Sequence, residues 1–155
     1  MVLVAEDKIT VREFLDMDFE DGYLYELING EIMKHASPST LHQRTSRKLL
    51  RQMDSFVVQH KLGEVFYAPY DVLFDDENLV LPDLLFVSNE RAHIVGPNRV
   101  EGAPDLIVEI LSPGNWKMDR GDKMKIYERF GVAEYWLVDP RSQSIEVYVL
   151  RDGDY

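Results

Sequence analysis

The sequence predicts an α/β fold in which a mixed β-sheet is flanked by α-helices and preceded by an N-terminal β-hairpin. Segments rich in apolar and β-branched residues alternate along the chain with segments of helical periodicity. Asn29-Gly30, the pair favoured in two-residue hairpin turns, separates two apolar-rich segments. The 155 residues, 45% of them hydrophobic, suit one domain with its own core. We therefore expect a single domain over residues 1–155.

The first part of the chain is predicted to contain two helices around the hairpin. Residues 8–16 form a short helix, because Thr10 and Glu13 have the spacing of a capping box. The segment YLYELINGEIMK forms the hairpin, and residues 39–60 form a long helix.

The second part is predicted to be mainly strands. EVFYAPYDVLF and LVLPDLLFV are two strands that the acidic turn DDEN joins into an antiparallel pair. The remaining predicted elements are a loop over 96–104, a buried strand over 105–111, a helix over 116–130 that ends at Gly131, and a hairpin made of EYWLVD and SIEVYVL. Asp152-Gly153 is a turn pair two residues before Tyr155, so we expect a trimmed chain or one that continues into another strand.

Composition limits the possible functions. A net charge of -11 argues against non-specific coating of nucleic acid, although a local basic patch is compatible with it. The absence of cysteine excludes a disulfide framework and thiolate metal sites. No apolar run is long enough to span a membrane, and the first ten residues lack the pattern of a secretory signal. We therefore expect a cytoplasmic protein.

Two acidic residues interrupt apolar strands. Asp83 lies in LVLPDLLFV, and Glu109 lies in DLIVEIL. An unpaired carboxylate inside a sheet costs several kcal/mol or keeps its proton. If both side chains point to one face, they form a pair that a hard divalent ion such as Mg²⁺ or Mn²⁺ would stabilise. Alternatively, each acid lies near a strand end and reaches solvent or an arginine.

The helix over 116–130 carries a lysine on its buried face. Helical phase places this set of residues on that face: Trp116, Asp119, Arg120, Lys123, Ile126, Tyr127 and Phe130. Lys125 lies on the exposed side. Lys123 can pair with Asp119 four residues earlier, or it can reach the two carboxylates and stabilise charge on a phosphoryl group.

A basic stripe follows the long helix. It consists of Arg44, Arg47, Lys48 and Arg51, which have helical spacing in a segment without acidic residues. The opposite, apolar face is predicted to contain Leu49, Met53, Phe56 and Val57, with His42 pointing towards it. The stripe is either a solvated face or a surface that contacts phosphates. His42 is either a hydrogen-bonded core histidine or a site residue.

These motifs together resemble the PD-(D/E)XK restriction-endonuclease-like superfamily, and most closely its Uma-two family. The resemblance covers nearly the whole chain and rests on YELINGEI, His42 at the start of a helix, PDLLFVS, GAPDLIVEILSP, DRGDK, GVAEYWLVDP and IEVY. It implies a mixed sheet between helices and metal-dependent hydrolysis of phosphodiester bonds in DNA.

The resemblance also assigns roles to residues. Asp83 corresponds to the aspartate of the motif and Glu109 to its second acid, both as metal ligands. Leu111 stands where the superfamily has a lysine, so Lys123 is expected to supply the amine, and Glu26 matches a recurrent acid of the family.

Two functions remain open after this comparison. One is an Mg²⁺- or Mn²⁺-dependent endonuclease, which we expect to be a homodimer because cutting both strands usually needs two sites. The other is a catalytically degenerate nuclease fold that acts as a binding or scaffold module.

Overall fold

The computed structural model describes residues 2–3 and 8–155, which form two mixed β-sheets flanked by helices, and it confirms the predicted fold class. The helices are α1 (Val11–Leu15), α2 (Thr40–His60), α3 (Trp116–Arg120) and α4 (Asp122–Phe130), with a 3-10 helix over Asn89–Ile94. The strands are β1 (Val2–Leu3), β2 (Tyr23–Ile28), β3 (Glu31–Ala36), β4 (Gly63–Tyr67), β5 (Asp71–Asp75), β6 (Asn78–Val80), β7 (Leu84–Ser88), β8 (Arg99–Glu101), β9 (Leu106–Ile110), β10 (Glu134–Asp139) and β11 (Ser144–Val149).

The predicted signals at the ends of these elements are present. Thr10 and Glu13 form the capping box of α1. Asn29 and Gly30 adopt φ angles of 52° and 77°, as the tight turn between β2 and β3 requires. Gly131, with a φ of 81°, ends α4. The expectation about a secretory signal concerns residues 1 and 4–7 in part, and these lie outside the described residues.

The strands are shared between two sheets. The six-stranded sheet has the order β1-β3-β2-β6-β5-β8, and the five-stranded sheet has the order β11-β10-β9-β7-β4. Each sheet contains one parallel pair, β5 with β8 and β9 with β10. Helix α2 covers one face of the five-stranded sheet, and the other face packs with the six-stranded sheet and α4 in the main core.

The prediction of two long strands before residue 90 was wrong. Each segment divides into two strands that enter different sheets: β5 pairs with β6, and β4 pairs with β7. The divisions fall at Pro69 and Pro82. Proline has no N–H to donate to a neighbouring strand, so a strand does not continue through it in the middle of a sheet. The predicted loop over 96–104 also contains a strand, β8.

The predicted helix over 116–130 is two helices. Gly121 lies between them with φ -110° and ψ -101°, and a Cβ there would lie 2.8 Å from the carbonyl oxygen of Lys117. Of the α3 residues predicted on the buried face, Asp119 is buried, as expected. Trp116 is exposed, and Arg120 pairs with Glu146 on β11 instead of facing the core.

Two further features concern surfaces. Phe56, predicted on the apolar face of α2, is 57% exposed and packs beside His60. Among the described helices, none combines the length and the apolar character needed to cross a membrane.

The turn at Asp152-Gly153 is formed, and Tyr155 donates from its hydroxyl to the carbonyl oxygen of Val132.

Candidate active site

A cleft of about 1390 Å³ brings together most of the residues singled out in the sequence. One wall is the N-terminal half of α2. The other walls are the β2–β3 hairpin, the loop after β4 and the loop between β9 and α3. The deepest groups, Glu26, Glu109, Asp119 and Lys123, are buried.

Glu109 lies at the centre of the floor of the cleft. It belongs to β9, a strand whose five residues are all buried, so the sheet fixes its position. Its Oε1 atom accepts hydrogen bonds from the ammonium of Lys123 at 2.9 Å and the hydroxyl of Tyr127 at 2.6 Å. Among the described residues, none donates to its other oxygen, Oε2.

Lys123 connects two acids from different sheets. Its Nζ lies 2.8 Å from Oε1 of Glu26 and 2.9 Å from Oε1 of Glu109. Asp119, the alternative partner within the helix, is farther away at 3.9 Å. The principal partners of Lys123 are therefore the two glutamates, as its placement on the buried side of α4 allows.

Asp83 lies immediately before β7 and links that strand to β9. The backbone N–H of Ile110 donates to its Oδ2 at 2.7 Å, and Nε2 of His42 lies 3.1 Å from its Oδ1. His42 thus faces the cleft from the first turn of α2 and is held by an acid. Asp83 is not within ion-pair distance of Lys123, so the expected contact between these two residues is not formed.

His35 is a site residue that the sequence reasoning missed. Its Nε2 lies 2.8 Å from Oε2 of Glu26, and its Nδ1 lies 3.3 Å from Oδ1 of Asn115. The feature of the sequence that points to His35 is the register of the β2–β3 hairpin. The turn at Asn29-Gly30 pairs Glu26 with Met33, so His35 is the diagonal neighbour of Glu26 on the same face.

Burial and charge give Glu109 and Asp119 unusual acidity. Burial is the main effect that raises the pKa of Glu109 to about 7, and the charges of Asp83 and Glu26 add to it against the opposing effect of Lys123. Burial also raises the pKa of Asp119 well above its usual value, with a further contribution from Glu109. Both groups favour the protonated state more than ordinary carboxylic acids do.

Glu26 and Lys123 are held in their charged forms. Burial opposes the charge of Glu26 most strongly, but Lys123 and His35 together outweigh it and lower its pKa to about 2. Burial likewise opposes the charge of Lys123, whereas Glu109, Glu26 and Asp119 raise its pKa well above the usual value. The pKa shifts of the two groups therefore favour a buried cation beside a buried anion.

The pKa of His42 is also shifted by burial and by the nearby acids. Burial alone would lower its pKa, but the hydrogen bond with Asp83 and the charges of Asp83 and Glu109 raise it above 6.5, the usual value.

The basic stripe lies at one wall of the cleft. Arg44 and Arg47 line the cleft, whereas Lys48 and Arg51 lie outside its lining. All four side chains are exposed, and in the described part of the chain none of them forms an ion pair.

The donor set can be compared with the needs of a divalent ion. Within residues 8–155, no three histidine or acidic side chains are already arranged around a common metal position. Mg²⁺ does not require such a group, because it commonly binds one or two carboxylates and keeps several waters. Asp83 lies immediately before β7 and Glu109 lies on β9, the strand that pairs with β7, and Oε2 of Glu109 is not used by a described donor. These two acids therefore fit an Mg²⁺ ion.

Comparison with known proteins gives consistent matches over most of the chain. Residues 11–155 match the model of the Uma2 family, which is described as "Putative restriction endonuclease". The uncharacterized protein sll1609 of Synechocystis sp. is 26% identical over 151 residues, covering 96% of this chain and 85% of that protein. A crystal structure described as a "putative nuclease belonging to DUF820", from Anabaena variabilis, superposes with a TM-score of 0.78 at 23% identity. It covers 93% of this chain and 81% of the other, and it shows the same fold.

Proposed function

The chain belongs to the Uma2 family, and from that premise we propose that it is an Mg²⁺-dependent endonuclease that hydrolyses phosphodiester bonds in DNA. The observation that carries the proposal is the contact between Lys123 and Glu109, 2.9 Å apart on the floor of the cleft. Lys123 on α4 thus places an amine beside Glu109, the second acid of the motif. Leu111, at the usual lysine position, packs against the main core instead.

Asp83 and Glu109 would hold the metal ion. Such an ion, Mg²⁺ or Mn²⁺, supplies the activation of a water and the neutralisation of charge on the phosphate. Glu109 must lose its proton to bind the ion, and its raised pKa makes this deprotonation coincide with neutral pH. His42 and the N–H of Ile110 orient Asp83, and Tyr127 orients Glu109.

Lys123 would stabilise negative charge as the phosphoryl group reacts. A lysine ammonium has three N–H donors, and two of them point to Glu26 and Glu109. The third is available to a phosphate oxygen, since Asp119 at 3.9 Å is too far for a hydrogen bond. Both oxygens of Glu26 already have partners, so we assign to it the positioning of Lys123.

DNA is the proposed substrate because of the basic stripe. The protein carries a net charge of -11, so a segment of four exposed cations beside the cleft is a local exception that suits phosphate contacts. A homodimer would provide the second site needed to cut both strands. With no cysteine in the chain, the cytoplasm remains the expected location.

A second function is favoured by one observation. The Lys123 ammonium already neutralises part of the acid cluster without a metal ion. A fold stabilised in this way could serve as a binding or scaffold module that has lost catalysis.

A nicking assay separates the two functions. Supercoiled plasmid is incubated with the protein in Mg²⁺, in Mn²⁺ and in EDTA, and Asp83→Asn provides the variant lacking one metal-binding carboxylate. The endonuclease predicts nicked and linear plasmid with either metal, none in EDTA, and a strong loss in the variant. Retention of DNA without any cleavage by the wild type would favour the binding module.

A further inference from the structure

We infer that the cleft accepts an unpaired DNA strand and that Tyr67 stacks on a base beside the reacting phosphate. This inference deepens the proposed nuclease function and rests on it for the position of the reacting phosphate. It comes from the depth of the acidic floor and from aromatic side chains exposed at the rim.

The floor of the cleft is deep. Glu26, Glu109 and Lys123 are only 2–3% exposed, so a phosphate must descend between the walls to reach them. The phosphates of a regular duplex are carried on a stiff, regular helix. A single strand is flexible and can direct one phosphate inward while its bases turn towards the walls. The burial of the site therefore favours an unpaired strand.

Tyr67 provides a surface for such a base. It is 61% exposed, lines the cleft and is the last residue of β4. Its backbone pairs with Leu84, and the N–H of the next residue, Ala68, donates to the carbonyl oxygen of Asp83. The aromatic ring is thus attached to the backbone directly beside a proposed metal ligand. Among the described aromatic residues, none packs on this ring.

The hairpin wall carries a second aromatic residue. Tyr23 is 42% exposed and lines the cleft, and the Nζ of Lys34 lies 3.7 Å from its ring centroid. Arg44 and Arg47 contribute positive charge from the α2 wall. Cations and exposed aromatic side chains on the walls above the acidic floor are the combination that single-strand-binding proteins use, because every base can stack.

Binding without metal tests the inference directly. Fluorescence anisotropy in EDTA compares a labelled single-stranded oligonucleotide with the blunt duplex of the same sequence, for wild type, Tyr67→Ala and Tyr67→Phe. The control is Phe56→Ala, which removes a similarly exposed ring outside the cleft. We expect tighter binding of the single strand. Tyr67→Ala should weaken it roughly 5- to 150-fold, the range for loss of one stacked base, while Tyr67→Phe and Phe56→Ala should bind like wild type.

Cleavage in Mg²⁺ gives the second measurement. A duplex with splayed ends should be cut in its unpaired arms, and faster than the blunt duplex. Equal binding of both DNA forms, or an unchanged affinity of Tyr67→Ala for the single strand, would overturn the inference even if the protein cuts DNA. Preferred binding of the single strand that depends on Tyr67, without cleavage of any DNA, would support the inference for binding and overturn the proposed nuclease function.

Discussion

The ammonium of Lys123 on α4 lies 2.9 Å from Oε1 of Glu109 on β9, although a loop and the short helix α3 separate these two elements in the sequence. Gly121, with a non-helical backbone, separates α3 from α4, and Lys123 lies in the first turn of α4. The acid comes from the sheet and the amine from the helix, so their meeting is a property of the tertiary fold.

Lys123→Ala should lower the turnover number about 100-fold or more, because it removes an electrostatic group beside the reacting phosphate. It also leaves two buried glutamates without their cation, which should reduce the free energy of unfolding by about 3–5 kcal/mol. Single-turnover cleavage of DNA, with the folded fraction measured by circular dichroism, checks both effects. Lys125→Ala is the matched control, since Lys125 is exposed on the same helix. Equal activity of the two variants would contradict the proposed role of Lys123.

The metal-free protein should lose stability between about pH 4.5 and pH 7. The folded-state pKa of Glu109 is about 7, against a usual value of 4.5. A raised pKa means that stability is fully present below 4.5 and is lost as the pH rises through 7. The difference corresponds to at most about 3 kcal/mol. His42, whose pKa is also raised, acts in the same direction.

Urea unfolding in EDTA at several pH values measures this loss. Glu109→Gln keeps an acceptor for Lys123 and Tyr127 but cannot ionise, so its stability should vary less with pH than that of wild type. Affinity for Mg²⁺ should rise with pH up to about 7 in wild type, because the ion binds the deprotonated carboxylate. Parallel stability curves for the two proteins would show that Glu109 does not titrate in this range.

The sequence predicted the local elements well because their signals are local. The capping box at Thr10, the turn at Asn29-Gly30 and the helix end at Gly131 each depend on a few neighbouring residues. The division of strands between two sheets depends on pairing between strands that are far apart in the sequence. Pro69 and Pro82 marked the breaks in the sequence, but only the tertiary fold determines which sheet each half enters.

The site was only partly predictable for a similar reason. Glu109 and Lys123 stood out as charged residues on buried faces, which is rare without a partner. The phase predicted for α3 was right for Asp119 but wrong for Trp116 and Arg120, because one continuous helix was assumed through Gly121. His35 had no signal by itself and required the hairpin register to be combined with Glu26. Predictions from a single element therefore failed where two elements meet.

Replacement of the four cations of the basic stripe by glutamine should weaken DNA binding without lowering the turnover number. The logarithm of the affinity should also depend less steeply on the logarithm of the salt concentration, by a slope of roughly 1 for each lost phosphate contact. Anisotropy titrations over a range of salt concentrations measure the slope. The control replaces four exposed cations elsewhere, which are Lys117, Lys125, Arg129 and Arg141. If the salt dependence of the affinity decreases by the same amount in both variants, the stripe is an ordinary solvated helix face.

Mg²⁺ should stabilise the folded protein, and the effect should require both Asp83 and Glu109. The ion relieves repulsion between carboxylates that lie together only in the folded state, so binding adds to the free energy of unfolding. At an ion concentration about 100 times the dissociation constant, the gain is about 2.7 kcal/mol. Thermal unfolding with increasing Mg²⁺ or Mn²⁺, together with isothermal titration calorimetry, measures the stabilisation and the affinity.

Asp83→Asn is the informative variant for this measurement, because an amide oxygen can still accept the hydrogen bond from Ile110 while the charge is lost. Its metal-free stability should stay close to that of wild type, and its stabilisation by Mg²⁺ should largely disappear. Asp54→Asn removes an exposed acid of α2 outside the cleft, so it should respond to Mg²⁺ as wild type does. Equal stabilisation of Asp83→Asn and Asp54→Asn would mean that the ion binds elsewhere, and the pair Asp83 and Glu109 would then lose its proposed role as the metal site.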